Sequence, residues 1–266
     1  MPQVTSYAPG TPSWVDLSTT DVEGALAFYS ALFGWENDPQ SMGPDDFYYM
    51  QRLRGLAVCG LYRQMEDQTA RGIPSHWTTY ITVEDADAAA ARAEQAGGSV
   101  LAGAFDVFEA GRMAMIQDPE GVVFAVWQPK SHIGCEVKGE SGAVVWSEVM
   151  TNSPSEAGAF YGAVVGVEMT SAPMDYYLLR VAGSSVAGVL QITPEMHGAP
   201  PCWVVYFGVD DVDAKTAQTQ ELGGTVLVPP WDVPSEGRIA VLQDPQGAVF
   251  NLFQPLPGGT LLQPSS

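Results

Sequence analysis

The apolar residues of this chain recur with two periods, and the switches between them mark out its elements. Residues 14–18 alternate apolar and polar, the period-two pattern of a half-buried strand. After the capping signal Thr20-Asp-Val-Glu23, the period becomes helical, with Ala25, Leu26, Phe28, Tyr29, Leu32 and Phe33 on one side and Gly34 as the stop. Strands are predicted at 47–53 and 56–62, with a further short one near Trp35-Glu36, and a polar loop at 63–75. A strand at 76–83, an Ala-rich helix at 85–96 ended by Gly97-Gly98 and a short strand at 99–101 follow. The stretch 111–129 then reads as a hairpin around Asp-Pro-x-Gly, where Asp-Pro sets the turn and Gly accepts a positive φ.

That hairpin occurs twice. Residues 111–129 and 237–255 match at 11 of 19 positions at an offset of 126, which predicts an internal duplication. The second half repeats the order: a strand at 146–150, a helix opened by Ser153-Pro-Ser-Glu156 and stopped by Gly166, and strands at 176–181 and 186–192. A strand at 203–209 and a helix at 211–222 then lead to the second hairpin. The reading is α+β, with four βαβββ modules forming two domains whose mixed sheets curl into cups. Domain one spans 1–130, a linker 131–143, domain two 144–256 and a flexible tail 257–266. Modules one and two share a cup, or module one pairs with four; the sequence leaves both open.

Charge and composition narrow the partners. With 31 acidic residues against 11 basic, the 266-residue chain carries a formal −20. That repels phosphate backbones and anionic lipid, so neither nucleic acid nor membrane is an expected partner. No run approaches the roughly 18 apolar residues of a membrane span. No leader is visible, and three cysteines without C-x-x-C spacing suit a cytoplasmic protein with no thiolate metal site. A small aromatic molecule is the expected partner, and the protein a monomer or homodimer.

Phe28-Tyr29 with Gly34, Phe160-Tyr161 with Gly166, and the turns Asp118-Pro-Glu-Gly121 and Asp244-Pro-Gln-Gly247 resemble the vicinal oxygen chelate superfamily of glyoxalases, bleomycin-resistance proteins and extradiol dioxygenases. More narrowly, the chain is similar to the two-domain, glyoxalase-like actinobacterial proteins often labelled hydroxylases. The resemblance places metal ligands on the first and last strands of paired modules. Those positions are Trp14, Thr78 and Ala125 in the first half, and Trp146, Val204 and Asn251 in the second. Indole coordinates no metal, and Thr, Ala and Val are no better. No cofactor is expected; the alternative is a divalent metal held by Asp16, His76 and Glu148.

What the cups offer instead is aromatic. Trp14, Trp146, Trp127, Phe253, Tyr80 and Tyr206 are expected to line them, with Asn251 at the vacated ligand position. Tyr49 and Tyr177 recur at matching positions, with Tyr48 and Tyr176 equally available. Asp16, Glu148 and His76 are the catalytic candidates, since a carboxyl beside indole has its pKa raised towards neutrality. Arg112 and Arg238 read as structural partners of carboxylates, and the Gly-Gly pairs as helix caps. The expected function is metal-independent binding of a small aromatic or polyketide-like metabolite, with or without its hydroxylation, cyclisation or isomerisation. Two alternatives stand beside it: drug sequestration, and a metal-dependent lyase acting on a thiol adduct of methylglyoxal. Whether the protein is an enzyme is left open.

Overall fold

A computed structural model of the chain describes residues 3–44, 46–173, 175–196 and 198–256; His197 and the expected tail at 257–266 lie outside these. Module one runs β1 (Pro12–Thr19), α1 (Val22–Phe33), β2 (Glu36–Gly43), β3 (Asp46–Leu53) and β4 (Leu56–Arg63). A short helix, α2 (Glu66–Ala70), leads into module two: β5 (His76–Thr82), α3 (Ala86–Gln95), β6 (Ser99–Val107), β7 (Gly111–Gln117) and β8 (Val123–Pro129). Module three is β9 (Val144–Thr151), α4 (Pro154–Val165), β10 (Glu168–Ala172), β11 (Tyr176–Val181) and β12 (Ser184–Gln191). Module four is β13 (Cys202–Gly208), α5 (Val212–Glu221), β14 (Thr225–Val233), β15 (Gly237–Gln243) and β16 (Val249–Pro255).

Each half forms one eight-stranded mixed sheet, in the order β2-β3-β4-β1-β5-β8-β7-β6 and its counterpart β10-β11-β12-β9-β13-β16-β15-β14. β1 pairs parallel with β4 and antiparallel with β5. Modules one and two therefore share a cup, as do three and four.

Local departures from the expected pattern have simple causes. The Pro- and Asp-containing stretch after Trp35 forms an edge strand, where Pro39 is tolerated because one side of the strand has no ladder partner. β6 continues to Val107 because two register shifts against β7 absorb its mismatch. Asp21, not Thr20, caps α1, its carboxylate accepting from Gly24 N at 3.0 Å. The segment 131–143 is packed against the first sheet: Cys135 N donates to Ser13 O at 2.7 Å and Glu136 N to Ala57 O at 2.8 Å. Arg112 and Arg238 grip Asp87 and Asp213 at the starts of α3 and α5.

The repeated motifs join the halves to each other. Tyr29 on α1 donates to Asp244 Oδ2 at 2.9 Å, in the hairpin turn of the other half. Asp244 Oδ1 accepts from Gln246 N and Ala248 N at 2.9 and 2.8 Å, so that one carboxylate ties both its own turn and the opposite helix. Trp77 Nε1 completes the chain by donating to the Tyr29 hydroxyl at 3.2 Å. Trp203, Tyr161 and Asp118 repeat it across the pseudo-twofold. Accordingly, one core cluster mixes α1 with Val205, Phe207 and Phe250, and another mixes α4 with Ile116 and Phe124. Tyr29→Phe strands a buried indole N–H and a carboxylate oxygen. It is expected to cost about 1–3 kcal/mol, read by thermal or urea unfolding.

Candidate functional site

Strand alternation sends Val15 and Leu17 of β1 into the helix-side core and leaves Trp14 and Asp16 for the concave face. Antiparallel register sets Tyr80 opposite Trp14 and Thr78 opposite Asp16, while Ala125 and Trp127 arrive on β8. Trp14, Asp16, Tyr80 and Trp127, with Tyr48, Met50, Met113 and His132, line a cleft of about 490 Å³. That size suits a small organic ligand. Exposed Met42 and Phe108 lie at its margin.

Asp16 is the chemical centre of this cup. It is 2% exposed. Tyr80 donates to its Oδ2 at 2.8 Å and Tyr48 to the same oxygen at 3.2 Å. Trp14 Nε1 in turn donates to the Tyr48 hydroxyl at 2.8 Å. Oδ1 is buried and has no protein partner. Burial pushes the carboxyl up to about 7, opposed by the two phenol hydrogen bonds. With Oδ2 already accepting twice, the proton of the neutral acid belongs on Oδ1, the oxygen that has no hydrogen-bond partner in the protein.

Tyr48 reaches Asp16 because the neighbouring strand has no side chain in the way. Gly60 pairs with Asp16, and a Cβ built there would lie 1.8 Å from the Tyr48 hydroxyl oxygen. Gly188 beside Glu148 does the same for Tyr176, at 1.7 Å. The repeat of a mid-strand glycine was a legible signal for that close approach. It also separates the tyrosines: Tyr48 and Tyr176 join the acids, whereas Tyr49 packs near Phe47 and Tyr177 joins the helix-side core.

The second cup carries the same parts with a different outcome. Trp146 Nε1 donates to Tyr176, Tyr176 to Glu148 Oε2 at 2.7 Å, and Tyr206 to Oε1 at 2.6 Å. The extra methylene of Glu lets each oxygen take one phenol, so this carboxyl is satisfied where Asp16 is not. Trp146, Val204, Tyr206, Ile239 and Phe253 pack together as a single apolar cluster. Asn251 is buried beside them with Oδ1 unpartnered. Burial also raises the Glu148 pKa, against the two phenols.

His76 stands at the start of β5 opposite Ser18, its Nδ1 2.9 Å from Pro74 O, and is not among the side chains lining the cleft. The histidine in the cup is His132, from the segment expected to be a linker. It meets Trp14 edge-on at 4.5 Å, and its carbonyl accepts from Trp127 Nε1 at 2.9 Å. Nothing in its local sequence points there; packing of the segment does.

A metal does not fit these residues. The alternative set of Asp16, His76 and Glu148 is not assembled, since Asp16 and Glu148 belong to different sheets. Among the described residues no three His, Cys, Asp or Glu side chains group closely enough to hold an ion. The groups around Asp16 are hydrogen-bond donors aimed at the carboxyl, which compete with a cation for the same lone pairs.

Comparison with known proteins places the chain. CFP32 of Mycobacterium tuberculosis, labelled a glyoxylase, is 43% identical over 262 residues, covering 97% of this chain and 99% of that protein. The anthracycline biosynthesis protein DnrV of Streptomyces peucetius is 37% identical over 273 residues, with 94% and 95% covered. In fold, the chain is similar to the Mn(II)-bound glyoxalase of Novosphingobium aromaticivorans, with a TM-score of 0.64 at 17% identity and coverage of 96% and 86%. No helix among the described residues is long and apolar enough to cross a membrane. The model of the Glyoxalase/Bleomycin resistance protein/Dioxygenase superfamily matches residues 11–126 and 143–252, and the chain belongs to that superfamily.

Proposed function

We propose that the first cup binds a small aromatic or polyketide-like carbonyl metabolite and isomerises or cyclises it by proton transfer, without a resident metal. The observation that carries this reading is Asp16: a carboxyl buried at the end of an aromatic cleft, with one oxygen held by two phenols and the other bare. In its neutral form Oδ1–H donates to a ligand carbonyl and gives up its proton as an enol forms. Trp14 and Trp127 offer faces for a flat ring. Isomerisation and aldol-type cyclisation balance with proton transfers alone, which favours them over hydroxylation. The relatives named for anthracycline biosynthesis support an aromatic polyketide-like ligand. The second cup, with its acid satisfied by two tyrosines, acts as a structural counterpart.

The test uses 1-tetralone, an enolisable ketone fused to an aromatic ring. Saturable quenching of tryptophan fluorescence, together with protein-catalysed deuterium exchange at C2 in D₂O, is the expected result. Binding without exchange above the buffer rate favours sequestration, the reading suggested by the bleomycin-resistance members of the superfamily. A stoichiometric metal in the purified protein, whose removal abolishes activity, favours the metal-dependent lyase.

A further inference from the structure

We propose that His132 is the general base that works opposite Asp16, its Nε2 taking the proton α to the carbonyl that Asp16 protonates. The inference rests on the reading above, in which the first cup takes an enolisable ring ketone. His132 is held in place by two indoles: Trp14 edge-on, and Trp127, whose ring lies 5.9 Å away and whose N–H is bonded to the His132 carbonyl. Its Nε2 is buried, the ring lines the cleft, and that nitrogen has no hydrogen-bond partner in the protein. A buried ring nitrogen left bare is unfavourable until a ligand atom meets it.

The ring is neutral at working pH. Burial, assisted by Arg52 and opposed by Glu136, pushes it down to about 4. In the tautomer that carries its single proton on Nδ1, Nε2 is an acceptor. Asp16 lies two residues from Trp14 on the same strand face, about 7 Å along the strand. Both side chains line the one cleft, so a ligand seated there has the imidazole packed on Trp14 and the Asp16 carboxyl in its walls. The step balances. The C–H pair becomes the enol C=C as Nε2 takes the proton, the carbonyl π pair takes the Oδ1 proton, and imidazolium and carboxylate remain. Return of a proton to carbon, at the same or a conjugated position, completes exchange or isomerisation. The substrate class is therefore an enolisable ketone on a planar apolar ring. The duplicated position, 126 residues beyond His132, is Gly258 in the sequence.

Exchange of the 1-tetralone C2 protons in D₂O, followed by NMR on the full chain, tests this. In His132→Phe, which keeps a ring against both indoles, exchange is expected to fall by about 10²-fold or more. Fluorescence quenching by 1-tetralone should stay within about threefold, because only an aromatic contact is exchanged. In His132→Ala, added imidazole should restore exchange, an effect that a packing role does not produce. Exchange that persists undiminished in both variants overturns the assignment while leaving the first cup as the site. Absence of exchange in the unaltered protein overturns the functional reading and this assignment together.

Discussion

Asp16→Asn is expected to abolish proton transfer while leaving ligand binding intact. The amide oxygen accepts from Tyr48 and Tyr80 as Oδ2 does, and the amide N–H₂ replaces the Oδ1–H donor facing the cleft. Asparagine therefore imitates the neutral acid in shape and hydrogen bonding but releases no proton. Loss of a positioned general acid lowers the rate by roughly 10²–10⁴. In the unaltered protein, burial sets the Asp16 carboxyl at about 7 and the His132 ring at about 4. The rate, kcat/KM, should accordingly rise through about pH 4, hold, and fall as Asp16 ionises through about pH 7. Exchange that keeps increasing above pH 8 would show that Asp16 is not the acid. Glu148→Gln, in the cup whose acid is already satisfied, should leave both the rate and the profile unchanged.

The same substitution should make the protein more stable, and only at the higher pH values. Burial lifts Asp16 from an ordinary 3.8 to about 7, so between these values the unfolded chain has released a proton that the folded chain retains. The unfolded state binds fewer protons there, and stability falls as pH rises through that window before levelling off above it. The neighbouring groups are Tyr48, Tyr62, Tyr80 and the Cys59 thiol, all pushed up by burial, and the cation of the cleft, Arg52, is paired with Asp38 and Glu136. An asparagine never ionises. Relative to the unaltered chain, Asp16→Asn should be near-neutral at pH 4 and gain on the order of 4 kcal/mol by pH 8. Urea unfolding at the two pH values reads the difference directly. Equal stability of the two proteins at pH 8 would mean that Asp16 is ionised at little cost in the folded state. A gain in stability joined to a loss of turnover is the signature of a residue kept for chemistry.

The duplication shows how little separates the two cups. Both halves carry Trp, Tyr, acid and Tyr in one hydrogen-bonded set, and both clear space with a glycine for the tyrosine on β3 or β11. One methylene decides the rest. Asp16 is too short to stand between its phenols and keeps a free oxygen, whereas Glu148 spans them and uses both.

Local sequence determined a good deal. Period and turn chemistry were enough for the modules and the duplication, because DPxG turns and the helix-stopping glycines act over a few residues; the superfamily came from the resemblance those motifs carry. The same alternation placed Trp14 and Asp16 on one strand face. The choice between Tyr48 and Tyr49 was not legible, since a one-residue slip of register exchanges the faces of a strand and only pairing with β4 fixes it. The role of Tyr29 and Tyr161 as ties between halves was equally hidden, because their aspartate partners are 215 and 43 residues away. His132 enters the site, and His76 stays outside it, through long-range packing of an irregular segment that has no period to read. The sequence by itself determined the parts of the cup; the tertiary structure alone decided which acid keeps a free oxygen and which histidine lines the same cleft, because both depend on contacts between strands and segments remote in the chain.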